Sequence, residues 1–306
     1  MAFRRQGPLS GRTILITGAT RGTGLAGALA WHGLGADIVL GARSKARYEE
    51  VCGSFAGGRV SPFIADLSDP ASIPAAIDGL KASGIQVTDV VHCAAAGLEP
   101  QLRPLMRAVI ALRGVAPGPD LDLAMEDHRG RLAALATTAT QDAWSVNFEA
   151  PREVTRLLAP SLPTGARVIA YSSVWSAGFP SGQCPGFYSA VAESKLALEA
   201  WLAEQTKTAW RGGRIRPTVL VGHVIRDTAS GQFIDRHLTG LMTPPDQLAF
   251  RAAYISMAEM TQAASAILME SGTVPDGLSR LYVIGGRGVS DSIEPEVQAT
   301  AGRMPL

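Results

Sequence analysis

Short apolar runs alternate with longer stretches of helical spacing along this chain of 306 residues. The short runs are rich in β-branched residues, which favour strands, and the stretches between them repeat their apolar positions every three to four residues. Strands that alternate with helices are typical of a parallel sheet covered on both faces. The predicted strands are RTILIT, ADIVLG, RVSPFIAD, VTDVVHCA, ARVIAYSS, IRPTVLVG and RLYVIGG.

This order of elements predicts an α/β fold with a doubly wound (Rossmann) parallel sheet of about seven strands, in a single domain that spans residues 1–306. Residues 98–140 are too long for a plain connection and predict a helical insertion after the fourth strand, with surface decoration as the alternative to a lid. Residues 224–247 are rich in Gly, Pro and Thr and predict a substrate-covering loop. The residues from about Ser290 predict a loose tail.

Composition and charge exclude several classes of protein. The chain is 46% hydrophobic and 18% charged, with a net charge of +1, so it can bury a core and carries no charge excess for nucleic acid or membrane surfaces. No apolar run reaches the ~18 residues that a membrane span needs. The three cysteines and five histidines form no CxxC or metal-binding pattern. We expect a cytoplasmic protein that acts on small molecules, with no metal.

A glycine-rich turn follows the first predicted strand. In ILITGATRGTGLAGALA, Gly18, Gly22 and Gly24 stand between this strand and a helix, with Thr20 inside the turn. Glycines allow a tight turn and let the backbone approach a pyrophosphate at the helix N-terminus. Because the strand, the glycines and the helix occur together, the segment predicts a dinucleotide site.

The end of the second strand indicates which dinucleotide is bound. NAD sites commonly carry an acidic residue there, whereas VLGARS places Arg43 and Ser44 at this point. Arg43, together with Arg21 of the glycine turn, can hold a 2′-phosphate through charge-assisted bonds. Asp66, after the third strand, suits either a contact to the adenine ring or a helix N-terminus. With no competing carboxylate apparent at the two arginines, the sequence predicts NADP(H).

The motifs together resemble the short-chain dehydrogenase/reductase family. The resemblance runs from about Arg12 to Gly286, apart from the insertion, and implies an oxidoreductase that forms a dimer or tetramer of identical chains. The residues that carry it are TGxxxGxG at Thr17 to Gly24, Asn147 in WSVNFEAP, two serines after the fifth strand, and Tyr188 and Lys195 in FYSAVAESK.

Four residues receive catalytic roles from their chemistry and from this resemblance. Reduction of a carbonyl needs a proton donor for the developing oxyanion, and Tyr188 is the predicted donor. Lys195, one of only four lysines, is expected to lower the tyrosine pKa and, as in the family, to bind the nicotinamide ribose. The resemblance implies that Ser173 hydrogen-bonds the substrate oxygen, although a slip in strand register would exchange it with Ser172. It also implies that Asn147, the only asparagine, relays protons through water to the lysine.

The chain departs from the family pattern in two places. The usual Asn-Asn-Ala-Gly is Ala-Ala-Ala-Gly here, at residues 94–97, and the usual tyrosine position is Val191. On a continuous helix Tyr188 would share a face with Lys195, but its backbone would lie about 4.5 Å nearer the N-terminus than usual. The spacing resembles that of the enoyl-thioester reductases. Alternatively, the helix begins late and Tyr188 lies on a loop that curls back to the usual place.

The sequence therefore predicts an NADPH-dependent reductase of a conjugated enone, enoyl or carbonyl group in a small-molecule or acyl substrate. The spacing favours the conjugated double bond slightly. The alternatives are a ketoreductase or alcohol dehydrogenase that acts strictly at C=O, and a non-redox protein that binds NADP(H) as a sensor, lyase or cyclase.

Overall fold

One sheet forms the centre of the computed structural model, which describes residues 7–57, 59–112, 119–120, 123–127, 136–270 and 277–304. Within these residues the sheet has eight strands in the order β3-β2-β1-β4-β5-β6-β7-β8. Strands β1 to β7 are parallel, and β8 is antiparallel to β7. The strands are β1 (Thr13–Thr17), β2 (Asp37–Ala42), β3 (Val60–Ile64), β4 (Asp89–His92), β5 (Ala166–Ser173), β6 (Ile215–Gly222), β7 (Ser279–Ile284) and β8 (Gly288–Ser290).

Helices connect these strands. A π-helical turn, Ser145–Glu149, joins α5 to α6, and a second one, Ile234–Leu238, follows α9. Among the described residues, none of the helices combines the length and the apolar character that crossing a bilayer requires. The helices are α1 (Gly22–Gly33), α2 (Lys45–Cys52), α3 (Ser72–Ala82), α4 (Glu99–Leu112), α5 (Ala136–Trp144), α6 (Ala150–Leu158), α7 (Val174–Gly178), α8 (Ser189–Lys207), α9 (Ala229–Phe233), α10 (Pro244–Ala252), α11 (Met257–Met269) and α12 (Pro295–Gly302).

Two apolar cores lie on opposite faces of the sheet. Alternate side chains of a strand point to opposite faces, so Ile14 and Ile16 of β1 enter one core while Leu15 enters the other. All three are fully buried, which explains why this strand reads as a continuous apolar run rather than an alternating one.

The predicted doubly wound α/β fold is confirmed, with β8 as an additional strand at the edge of the sheet. The expectation of a loose tail is wrong, because the segment after Ser290 forms α12 and buries Val297, Ala301 and Met304. Within the described residues, the predicted insertion contains α4 and the start of α5, and the predicted covering loop contains α9 and the start of α10. That these segments are an insertion and a covering loop stays a prediction.

Candidate functional site

A cavity of about 970 Å³ lies at the C-terminal ends of the parallel strands. The strand order reverses between β1 and β4, and a doubly wound sheet opens a crevice at such a point. The cavity wall combines the glycine turn with the segments that follow β2, β4, β5 and β6. Of the residues predicted from sequence, it includes Gly18, Thr20, Arg21, Gly22, Arg43, Ser173, Tyr188 and Lys195.

The glycine turn forms a tight cradle at the β1 end of the cavity. Gly18 has φ +68°, and a Cβ atom there would lie 2.8 Å from the backbone of Ala94. A Cβ at Gly24, in the first turn of α1, would lie 2.3 Å from the Gly18 carbonyl oxygen. Gly22 also has a positive φ, +56°, but has open space around it. Larger residues at Gly18 and Gly24 are therefore sterically excluded, and the exposed backbone at the start of α1 suits a pyrophosphate.

Three arginines border the same end of the cavity, where sequence analysis identified two. Arg21 and Arg43 are joined by Arg47, which lies in the first turn of α2. The prediction of no competing carboxylate at the two arginines is wrong. Arg21 pairs with Glu99 at 3.1 Å and Arg43 with Asp66 at 3.5 Å. Both pairs are solvent-exposed, so each contributes at most about 1 kcal/mol and leaves its arginine free to bind a phosphate.

Ser44 and Asp66 make local bonds at the ends of their strands. The Ser44 hydroxyl accepts from the Arg47 N–H at 3.3 Å and so caps α2. Asp66 Oδ1 accepts from the Ser68 N–H and hydroxyl at 3.0 and 2.7 Å. The hydrogen bond from the Ser68 side chain lowers the Asp66 pKa most, and Arg43 adds a smaller effect. The cavity wall contains the neighbours of Asp66, Ala65 and Leu67.

Tyr188 lies in a 3₁₀ turn, Gly186–Tyr188, immediately before α8. The Tyr188 N–H donates to the Pro185 carbonyl at 2.9 Å, and the α-helix begins at Ser189. The premise of an α-helix continuing upstream through Tyr188 is therefore not met. The alternative reading from sequence, in which the helix begins late, describes this backbone.

The phenol of Tyr188 is next to the hydroxyl of Ser173. Burial raises the Tyr188 pKa to about 12, a hydrogen bond with Ser173 lowers it in part, and Cys184 adds a small increase. The prediction from sequence is a Tyr188 pKa lowered by Lys195. In this structure burial dominates instead, so the phenol keeps its proton at neutral pH.

The two serines at the end of β5 point in different directions, as strand alternation requires. The Ser173 Oγ caps α7 by accepting from the Trp175 N–H at 3.2 Å. The Ser172 hydroxyl donates to Glu199 of α8 at 2.7 Å. Ser173, rather than Ser172, is the serine paired with Tyr188.

Lys195 is directed toward the ends of β4 and β5. Its Nζ donates to the Tyr171 carbonyl at 2.7 Å. Burial lowers its pKa to about 8, while the negative charge of Glu199 and, to a lesser degree, Cys93 raise it. The ammonium therefore lies in the cavity wall and is mostly protonated at neutral pH.

Asn147 lies in the first π-helical turn and is buried. Its amide bonds to both backbone groups of Ala96 and donates to Ser194 Oγ at 3.1 Å. Both of its N–H groups are thus used in bracing the loop after β4 against α8. This brace explains how Ala-Ala-Ala-Gly is accommodated without side-chain amides of its own.

Aromatic side chains form the β5–β6 side of the cavity. The Trp175 ring lies 4.9 Å from the Tyr188 ring and 6.3 Å from Phe250, measured between centroids. Its indole N–H donates to the Ala301 carbonyl of α12 at 2.8 Å. His223, directly after β6, also lines the cavity and packs against Phe250 at 4.8 Å.

Sequence reasoning missed Arg47, Trp175 and His223. Each stands within four residues of a site residue or a strand end, in a position where loops of this fold meet the ligand. Their closeness in sequence to a predicted site residue or strand end is the feature that could have identified them as cavity residues. The contacts of Trp175 with α12 come from a segment far along the chain and carry no local signal.

Comparison with known proteins adds information on family and fold. Residues 12–110 match the sequence model of the short chain dehydrogenase family. No match was found among curated proteins.

Many solved structures share the fold. One is landomycin C-6 ketoreductase LanV with bound NADP and rabelomycin, which is 20% identical with a TM-score of 0.62, over 90% of this chain and 96% of LanV. A short chain dehydrogenase from Burkholderia cenocepacia J2315 in complex with NADP is 20% identical, with a TM-score of 0.64 over 92% and 99% of the two chains. The 3-ketoacyl-(acyl-carrier-protein) reductase from Brucella melitensis, complexed with NADH, is 21% identical, with a TM-score of 0.61 over 91% and 99%.

Proposed function

We propose that this chain, whose residues 12–110 match the short chain dehydrogenase family model, is an NADP(H)-dependent reductase that acts on a carbonyl group. The observation that carries the proposal is the pairing of the Tyr188 phenol with the Ser173 hydroxyl at the wall of one large cavity. Two hydroxyls at one point can both bond a single oxygen, and a carbonyl oxygen accepts two such bonds.

The residues around the glycine turn fit an NADP(H) molecule. Glycine at positions 18 and 24 lets the turn pack closely against the protein backbone, and the N-terminus of α1 behind it offers backbone N–H groups to a pyrophosphate. Arg21, Arg43 and Arg47 supply positive charge for a 2′-phosphate, and the solved neighbours described with NADP support this choice. When bound, the reduced nicotinamide would supply the hydride.

Tyr188 would donate the proton, and Ser173 would hold the substrate oxygen. The phenol is protonated at neutral pH and so carries the proton to be donated, while burial, which raises its pKa to about 12, opposes the donation. Lys195 would bind the ribose and would favour the phenolate as the proton leaves. Asn147 would contribute by bracing the loop after β4 rather than by touching the substrate.

The walls around Tyr188 favour an apolar substrate with a flat ring. Trp175, Val191 and Ile234 line the cavity on this side, and Trp175 is fixed by its bond to Ala301. A buried aromatic wall binds flat apolar molecules well. The ketoreductase neighbour described with rabelomycin supports a ketone on a ring system as the substrate class.

Product analysis with deuterated NADPH tests the proposal. The enzyme is mixed with a cyclic ketone such as 1-tetralone and with a cyclic enone such as 2-cyclohexenone, and NADPH absorbance is followed. We expect turnover with the ketone and, for the enone, deuterium on the carbinol carbon. Label on the β-carbon would instead favour reduction of the conjugated double bond. Tight NADPH binding without turnover on any carbonyl would favour the non-redox alternative.

A further inference from the structure

A buried carboxylate lies behind the cavity wall, between α8 and the sheet. Glu199 follows Lys195 by one helical turn, and its side chain is only 5% exposed. A buried carboxylate needs charged or hydrogen-bonding partners to remain ionised. Glu199 has both: one oxygen accepts from the Ser172 hydroxyl at 2.7 Å, and the other pairs with Arg280 of β7.

These partners connect Glu199 to two parts of the proposed site. Ser172 is the residue before Ser173, so the bond to Glu199 fixes the end of β5 from the side of α8. Residues four apart share a helix face, so Glu199 also lies beside the stem of Lys195. One carboxylate thus contacts the strand that carries Ser173 and lies one helical turn from Lys195.

Three titratable groups surround the Lys195 ammonium. Cys93 at the end of β4 interacts with the lysine charge, and the phenol of Tyr171 on β5 bonds to Cys93; burial raises the pKa of both, that of Cys93 to about 12. Both are therefore neutral at pH 7. Glu199 is the third group, and its negative charge raises the lysine pKa against the effect of burial. Arg280 lies on the far side of Glu199 and is half-exposed.

We propose that Glu199 is a positioning residue that keeps Lys195 positively charged and holds the Ser172–Ser173 end of β5 in place. The proposal rests on the reductase function above, since that function is what requires a charged lysine. Glu199 acts through Lys195 and Ser172 rather than by contact with the substrate.

The variant Glu199→Gln separates charge from packing. Glutamine has the same shape and keeps an acceptor for the Ser172 hydroxyl, but it removes the negative charge. A lysine that loses a nearby anion gives up its proton at lower pH. NADPH affinity, measured by the fluorescence of the cofactor from pH 6 to pH 10, should decline at alkaline pH as Lys195 loses its proton. In Glu199→Gln the midpoint of this decline, the alkaline limb, should lie about one pH unit lower than in the unmodified protein. At pH 6 the two affinities should agree within about twofold.

Two controls make this test specific. Ser172→Ala removes the hydrogen bond but keeps the charge of Glu199, so its alkaline limb should stay in place. Glu204→Gln removes an exposed glutamate that pairs with Lys207 on the same helix, and it should also leave the limb unchanged. An unshifted limb in Glu199→Gln would overturn the proposal. An equal shift in Ser172→Ala would also overturn it, because packing would then explain the effect.

A third variant covers the case in which Glu199→Gln does not fold. Arg280→Met removes a cation that competes with Lys195 for Glu199. The pH midpoint of the alkaline limb should therefore stay the same or move to higher pH. A limb at lower pH would contradict the proposal. Binding is measured without turnover, so a protein that binds NADPH with the expected pH dependence but reduces nothing would refute the reductase function alone.

Discussion

Asn147 and Ala96 exchange two hydrogen bonds. The Ala96 N–H donates to Asn147 Oδ1 at 2.9 Å, and Asn147 Nδ2 donates to the Ala96 carbonyl at 3.1 Å. The same nitrogen donates to Ser194 Oγ, so one side chain ties the loop after β4 to α8. The π-helical turn at Asn147 provides the backbone position for this brace, in keeping with the frequent use of such turns at functional sites.

The first prediction concerns this brace. Asn147→Ala should lower the free energy of unfolding by about 1–3 kcal/mol, because Ala96 would be left with unpaired, partly buried backbone groups. Urea denaturation measures the change. Ser194→Ala removes a single bond of the same side chain and should cost about 1 kcal/mol or less. Equal midpoints for Asn147→Ala and the unmodified protein would show that the brace contributes nothing.

The second prediction concerns the proton donor. Tyr188→Phe removes the hydroxyl and keeps the ring against Trp175, so NADPH affinity should persist while turnover falls at least about 100-fold. Steady-state kinetics and a cofactor titration measure the two effects. Tyr48→Phe is the matched control, since the Tyr48 hydroxyl bonds to the Val60 carbonyl away from the cavity. Near-normal turnover in Tyr188→Phe would show that a group other than Tyr188 donates the proton.

The third prediction concerns cofactor choice. Arg43→Ala should weaken NADPH binding about tenfold or more, because one charge-assisted bond contributes about 1.5–3 kcal/mol, and should leave NADH binding nearly unchanged. Arg47→Ala should act in the same direction. Arg211→Ala, in the 3₁₀ turn Arg211–Gly213 that follows α8, serves as the control. An equal loss for both cofactors would place Arg43 away from the 2′-phosphate.

The fourth prediction concerns acid stability and His223. Burial lowers the pKa of His223 to about 3, and neither ring nitrogen has a partner among the described residues. Between pH 6.5 and 3 the unfolded chain therefore binds a proton that the folded protein does not, so stability falls as the pH falls through this window. His223→Phe should reduce the loss by up to about 1.4 kcal/mol per pH unit.

The test for His223 compares the change in unfolding free energy with pH between the unmodified protein and His223→Phe. Unfolding free energies of both proteins are compared at pH 8 and at pH 5, so that any change in packing cancels. The unmodified protein should lose more stability than His223→Phe between the two values. Identical losses would mean that the imidazole is protonated in the folded state.

The fifth prediction concerns the contact between α7 and α12. A Cβ at Gly178 would lie 2.2 Å from Nε2 at the flexible end of Gln298 and 2.6 Å from the Gln183 carbonyl oxygen, so Gly178→Ala should shift the backbone at Gln183 and cost about 1–3 kcal/mol. Gly33→Ala, at the end of α1 with open space around it, should be neutral or stabilising by up to about 1 kcal/mol. Denaturation of both variants checks the contrast, and equal midpoints would contradict it.

The parallel sheet was predictable because its central strands, such as β1 and β4, are buried on both faces and read as apolar runs. Strand β8 was not, since its three residues are exposed and carry no such signal. Helix α12 was missed for a related reason: Val297 and Ala301 are buried by contact with distant segments, which local spacing does not reveal.

The site was predictable where the motif is local, as at the glycine turn. The conformation of Tyr188 followed from a nearby signal that was not used. Pro185 and Gly186 precede it, and residues of these types end or delay a helix, so the helix could be expected to begin after the tyrosine. The carboxylates at Arg21 and Arg43 come from other elements and required the three-dimensional structure.

The bond from Trp175 to Ala301 has a consequence for the order in which the protein is assembled during synthesis. The indole N–H can form this bond only after the carbonyl of Ala301, 126 residues further along the chain, has been synthesised. On a ribosome the glycine turn, Ser173 and Tyr188 are all made before α12, and chains fold from the N-terminus as they emerge. We expect nascent chains to acquire the dinucleotide cradle first and the aromatic wall last, so that recognition of the substrate is the final property the molecule gains.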